Sequence, residues 1–173
     1  MTILIVIPGI FLTAVNTSEL FNKRVDSAIN EITDYSIGSD SSVGQRLNFA
    51  INSWQVIKEN PIVGVGTGDF PKEYKKINQI NTPGRASTTN PHNMYILVLM
   101  QLGLLGLMSM LSIFYYQFKL SLKSPIKVIR DTGIMLPVLF LVMMLSDSYL
   151  LGHYTTLMFV FFSSFLYKNF EDS

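Results

Sequence analysis

Two histidines and no cysteine leave His92 and His153 as the side chains whose ordinary titration falls near neutral pH. His92 stands in the step Asn90-Pro91-His92-Asn93, which runs straight into an apolar stretch. With Asn90 as N-cap and Pro91 as first helical residue, His92 and Asn93 occupy the first turn of a helix. That end of a helix carries partial positive charge and free N–H groups, which favour a neutral, proton-accepting ring and attract anions such as phosphate. A neutral imidazole there suits a general base acting on a phosphate-bearing lipid substrate. The plainer reading is a histidine that solvates a helix end at a membrane surface.

Arg46 is the next candidate, because a guanidinium fork grips a pyrophosphate bidentately; a solvated surface arginine is the alternative. Arg24 and Arg85 have weaker individual claims. Lys72, Lys75 and Lys76 form a basic cluster suited to anionic head groups or to a solvated helix face. Asp147 interrupts an apolar run, and a carboxylate at mid-bilayer costs roughly 2.5–3.5 kcal/mol. It therefore belongs at the outer end of its helix, paired with an arginine or with His153, or simply ending the span. "GVGTG" lacks the Lys-Ser/Thr of a phosphate loop and reads as a turn that lets backbone pack tightly. Gly103, Gly106 and Ser109, three apart, read as a stripe for close helix contact. Carboxylates spaced for a hydrolase pair, a metal set and a nucleophilic triad are all missing from the sequence.

The elements that must position these residues are membrane helices. Of 173 residues, 49% are hydrophobic and 14% charged. Residues 93–118 carry no charge; at 1.5 Å per residue they span about 39 Å, more than the roughly 30 Å hydrocarbon core. Residues 132–167 hold one charged side chain, Asp147, which fits two short spans joined at "SDSYLLGHY". The opening 15 residues are uncharged, a little short for a full span, and lack the basic start and cleavage site of a signal peptide. The expected architecture is all-α: a polytopic membrane bundle of about four spans with a helical extracytoplasmic loop. Its parts are a span at 1–15, a loop at 16–91, a span at 92–118 and a basic segment at 119–130. A span at 131–147, a turn at 148–154, a span at 155–167 and a tail at 168–173 complete it. Lys119, Lys123, Lys127 and Arg130 stand together with no acid before Asp131, which puts 119–130 on the cytoplasmic side and the long loop outside. A net charge of +1 argues against nucleic acid as a partner.

Within the loop, Phe21, Val25, Ile29 and Ile32 form one helical stripe, capped by Asn16, Thr17 or Ser18. Residues 38–44, "GSDSSVG", read as a linker, and Ser42 with Gln45 resembles a capping box. The helix that follows places Leu47, Ile51, Trp54 and Ile57 on one face and stops at Asn60-Pro61. Asp69 with Pro71 starts another short helix. Such amphipathic helices lie on a membrane surface or form a small solvated cap.

Taken together, these residues resemble the superfamily of O-antigen ligases and O-antigen polymerases, bacterial inner-membrane glycosyltransferases. Its hallmark is His followed by Asn, Ser or Gln, nine residues, then Gly-x-x-Gly. Here His92-Asn93, residues 94–102 and Gly103-Leu104-Leu105-Gly106 match at every specified position. Upstream, Arg46, Trp54, Asn60-Pro61, Gly64, Gly66, Gly68 and Phe70 are similar to a second family block. The resemblance implies a periplasmic loop between late membrane helices, a catalytic His at its membrane end, and loop arginines on an undecaprenyl pyrophosphate leaving group. It implies glycosyl transfer from that carrier to an acceptor hydroxyl (lipid A core oligosaccharide in the ligases, another glycan or a protein in related members) without cofactor or metal. His92 would be the base or would position the acceptor, and Arg46 would bind pyrophosphate. Asn93 and Asp147 would assist at the substrate, Asp147 as the acidic residue of a later helix, and Arg24 would be a second loop arginine. Members are usually longer, with more helices ahead of the loop. The chain is therefore expected to correspond to the C-terminal part of an enzyme and to be inactive alone. A different class, a transporter subunit or scaffold whose outer loop binds anionic lipid, would instead depend on Lys72, Lys75 and Lys76 and not on His92.

Overall fold

The computed structural model describes residues 2–36 and 41–167. Positions 38–40 of the linker and the tail at 168–173 lie outside the described residues. The helices are α1 Thr2–Thr17, α2 Glu19–Thr33, α3 Ser42–Glu59, α4 Phe70–Asn81, α5 Met94–Lys123, α6 Lys127–Met143 and α7 His153–Leu166. A 3₁₀ turn at Tyr149–Leu151 precedes α7, and no strand occurs among the described residues. The chain divides into two compact units, residues 1–48 and 49–173.

In the first unit, Ser18 is the joint between α1 and α2. Its N–H donates to the Ala14 carbonyl at 3.0 Å, and its hydroxyl caps α2 by accepting from Phe21 N–H at 3.3 Å. Phe11 and Phe21 meet edge to face at 5.6 Å. Phe21 and Val25 are half-buried on the expected stripe, whereas Ile29 and Ile32 are exposed. At the start of α3 the hydroxyl that caps belongs to Ser41, accepting from Gly44 N–H at 3.0 Å, one residue ahead of the expected Ser42. Tyr35 donates to Asn48 Oδ1 at 2.7 Å, and burial pushes its phenol pKa up.

In the second unit, α3, α4 and the first turns of α5 enclose a core of Val56, Ile57, Phe70, Tyr74, Leu97 and Met100. The buried face of α3 differs from the expected one. Asn52, Ser53, Val56 and Ile57 point inward, while Ile51 and Trp54 are 41% and 52% exposed. Asn52 goes inside because partners await it: its Nδ2 donates to the Tyr74 hydroxyl (3.3 Å) and Thr82 Oγ1 (3.4 Å), and its Oδ1 accepts from Asn81 Nδ2 (2.9 Å), whereas the buried Ser53 hydroxyl has no hydrogen-bond partner among the described residues. Buried amides are retained where such bonds satisfy them. α4 begins as its sequence predicts, with Asp69 at the N-cap position and Pro71 in the first turn.

A second core, Val98, Met110, Phe114, Phe140, Met144 and Phe159, joins α5, α6 and α7. Three residues, 124–126, separate α5 from α6, so Lys119 and Lys123 ride on the end of α5 and Lys127 opens α6. Gln117 Nε2 donates to Ser163 Oγ at 2.9 Å, and the Tyr167 hydroxyl to the Gly133 carbonyl at 2.7 Å. Among the described residues, α5 is the one helix long and apolar enough to cross a membrane; α7 is apolar but shorter, at 14 residues.

α5 is broken. Gly103 adopts φ 64° and ψ −161° inside it, a conformation costly for any residue with a Cβ. In an unbroken helix the Met100 and Gln101 carbonyls would accept from the Leu104 and Leu105 amides. The glycine-rich segment supplies all four partners instead. Val65 N–H donates to Met100 O and Gly66 N–H to Gln101 O, both at 2.9 Å; Leu104 N–H donates to Pro61 O at 2.9 Å and Leu105 N–H to Ile62 O at 3.2 Å. A Cβ on Gly103 would overlap the Ile62 carbonyl, and one on Gly64 would overlap the Gln101 backbone. The two glycine blocks are thus halves of one joint. The small-residue stripe expected for helix contact is corrected accordingly: Gly103 is where a helix opens to admit a loop.

Candidate active site

The loop from α4 arrives at α5 through residues 88–93, and its turn is fixed by side chains. Thr88 Oγ1 accepts from Asn90 N–H at 3.1 Å and donates to the Asn90 carbonyl at 2.7 Å. Pro91 is fully buried. His92 then takes a positive φ of 53°, a conformation few non-glycine residues adopt. The N-cap of α5 is Asn93, whose Oδ1 accepts from Ile96 N–H at 3.1 Å. His92 therefore lies ahead of the helix and not in its first turn.

His92 Nδ1 lies 3.2 Å from Asp147 Oδ1, and both side chains are 41% exposed. A carboxylate oxygen accepts, so Nδ1 is the donor in this contact, and in the neutral ring the lone pair is then on Nε2. The same Oδ1 accepts from Ser148 N–H (2.7 Å) and Asn90 Nδ2 (3.3 Å). Asn90 completes the brace, its Oδ1 accepting from His92 N–H at 2.9 Å and from the Ser148 hydroxyl at 2.7 Å. The imidazole lies against Phe49 of α3, centroids 6.0 Å apart and planes at 29°. Three bonds tie the start of α5 to the end of α6: Met94 N–H to the Met144 carbonyl (2.9 Å), Asn93 Nδ2 to the Leu145 carbonyl (3.1 Å) and the Tyr95 hydroxyl to the Leu141 carbonyl (2.7 Å). Two residues beyond Leu145 the chain presents Asp147.

His92, Asn93 and Asp147 thus come together from positions some fifty residues apart. Asp147 pairs with His92 and not with His153 or an arginine. Asn90, assigned to the cap by its sequence, is a brace of the site; its separation from Asp147 leaves no local signal. Arg24 and Arg46 belong to the first unit, exposed on α2 and α3. His153 opens α7 and lines an open cavity of about 420 Å³ beside Asp147. Lys76 is paired with Glu73 at 2.6 Å, and Lys72 and Lys75 are exposed.

Among the described residues the fold is all helical, with a braced histidine just ahead of a long apolar helix. The chain belongs to the O-antigen ligase family, whose sequence model matches residues 1–111. This is a membrane family of bacterial lipopolysaccharide synthesis, of glycosyltransferase or ligase type, acting on lipid-linked glycans. No curated protein matches the chain. The match takes in both glycine blocks and His92-Asn93; Asp147 lies beyond it.

Proposed function

We propose that this chain carries the catalytic end of an O-antigen ligase, moving a glycan from undecaprenyl pyrophosphate to a hydroxyl of the lipid A core oligosaccharide. His92 Nε2 takes the proton of the acceptor hydroxyl as that oxygen bonds to the anomeric carbon. The anomeric carbon–oxygen bond to pyrophosphate breaks, and the leaving group departs with the electron pair. Arg46 binds the pyrophosphate, with Arg24 as a second cation, and Asn93 and Asp147 hold the base and the end of α5 in register. The observation that carries this reading is the 3.2 Å contact of His92 Nδ1 with Asp147 Oδ1, which fixes the tautomer and leaves Nε2 to accept a proton.

The chemistry takes place at the periplasmic face of the bacterial inner membrane. The proposed spans are 1–15, 92–118, 131–147 and 155–167, with loop 16–91 and turn 148–154 outside and the basic segment 119–130 and tail 168–173 inside. The outward Ile51 and Trp54 of α3 support a loop seated on lipid. Replacing His92 by Ala in the whole protein should lower glycan transfer about 10²–10⁴-fold, the usual worth of a general base. Wild-type levels of product from the lipid-linked donor would contradict the assignment.

A further inference from the structure

We propose that the cavity between the end of α6 and the start of α7 binds a neutral sugar ring of the acceptor, with Tyr154 and His153 as its specificity determinants. The proposal rests on the transferase reading above. The cavity is about 420 Å³ and is lined by Asn90, Asp147, Tyr149, His153, Tyr154 and Thr155, among others. That volume lies at the lower end of the roughly 300–1,000 Å³ of small-ligand sites. Asn90 and Asp147 are also the residues that hold His92, so the cavity opens on the brace of the base.

The lining chemistry selects among ligands. Two tyrosines offer flat apolar faces with a polar edge, which fits the alternating C–H faces and hydroxyl rim of a sugar. Asp147, Asn90 and the ring of His153 offer acceptors and donors to hydroxyls. Among the described residues no lysine or arginine lines the cavity, and Asp147 brings a carboxylate into its wall. A pyrophosphate would be repelled there, so the donor's reacting sugar, which carries that group, is a poor occupant. A neutral ring of the acceptor has no such penalty. Tyr154 is 86% exposed, and His153 is exposed and makes no hydrogen bond or ion pair among the described residues. A large aromatic and a polar ring held outward beside a carboxylate are available to a ligand at no cost in broken internal contacts.

The test varies donor and acceptor separately, with the whole protein in membranes. Tyr154→Ala and His153→Ala should each raise the acceptor KM about tenfold and leave the donor KM within twofold. Binding is read independently of turnover by titrating lipid-free core oligosaccharide from the host cell against purified protein. It should bind wild type and lose about tenfold affinity in Tyr154→Ala. Equal affinity of wild type and Tyr154→Ala, no binding to either, or a shift confined to the donor KM would each overturn the proposal. Because the titration needs no catalysis, a failure of the His92 assignment shows in turnover alone, whereas a failure of the sugar site shows in affinity.

Discussion

At the scale of single residues, His92 is defined by what Asn90 and Asp147 do to it. A local reading of Asn-Pro-His-Asn offers two asparagines with similar capping preference. The choice between them is made 57 residues away, where Asp147 and Ser148 engage Asn90. With Asn90 committed there, Asn93 caps α5 and His92 is displaced from the helix. The sequence pattern therefore puts His92 inside the helix and the structure puts it ahead of it, because the deciding contact is tertiary. Arg46 is a different case: its assignment rests on the family block and on guanidinium chemistry. If it binds pyrophosphate through a planar fork, Arg46→Ala should raise the donor KM about tenfold, and Arg46→Lys should not restore it. Steady-state kinetics with donor concentration varied would check this; an unchanged donor KM in Arg46→Ala would remove Arg46 from the site.

At the scale of elements, the broken α5 and the glycine-rich loop are one structure. Breaking a helix in an apolar setting leaves amides and carbonyls that water cannot reach, and each must find a partner. Residues 61–66 answer both carbonyls and both amides. The glycine spacing was legible in the sequence, but its meaning was not, since each block alone resembles ordinary packing. Gly103→Ala should destabilise the fold by more than the about 1–3 kcal/mol of a strained backbone position, because its Cβ also meets Ile62 backbone. Gly84 also has a positive φ, but a Cβ there meets nothing within 4 Å, so Gly84→Ala should cost less. Thermal unfolding of the two variants in detergent measures the difference, and equal midpoints would contradict the joint. α3 teaches a second lesson. Periodicity marks one face as apolar, and the usual inference that this face points inward assumes water outside. In α3 the apolar Ile51 and Trp54 point out, while the amide of Asn52 joins Val56 and Ile57 on the inward face.

At the scale of the whole molecule, the expected topology rests on charge and length, the two properties by which a bilayer selects its helices. The helix ends were less legible: α5 continues through Lys119 to Lys123 and α6 starts at Lys127, since long basic side chains near a helix end reach the interface without ending the helix. The cysteine-free sequence makes the topology directly testable. Single cysteines at the exposed Ser87, in the outer loop, and at Ser124, between α5 and α6, should differ in labelling by an impermeant maleimide on intact spheroplasts. Ser87→Cys should label and Ser124→Cys should label only after permeabilisation. The opposite pattern would invert the proposed orientation.

The central claim is that His92 and Asp147 act as one unit, and a double-mutant cycle on glycan transfer measures that directly. His92→Ala alone should cost about 10²–10⁴-fold, and Asp147→Ala a substantial part of that through the lost tautomer and orientation. At saturating acceptor, where the carboxylate affects turnover through the imidazole, the double variant should be no slower than His92→Ala. Losses that multiply in the double variant would show two independent contributions and contradict the account.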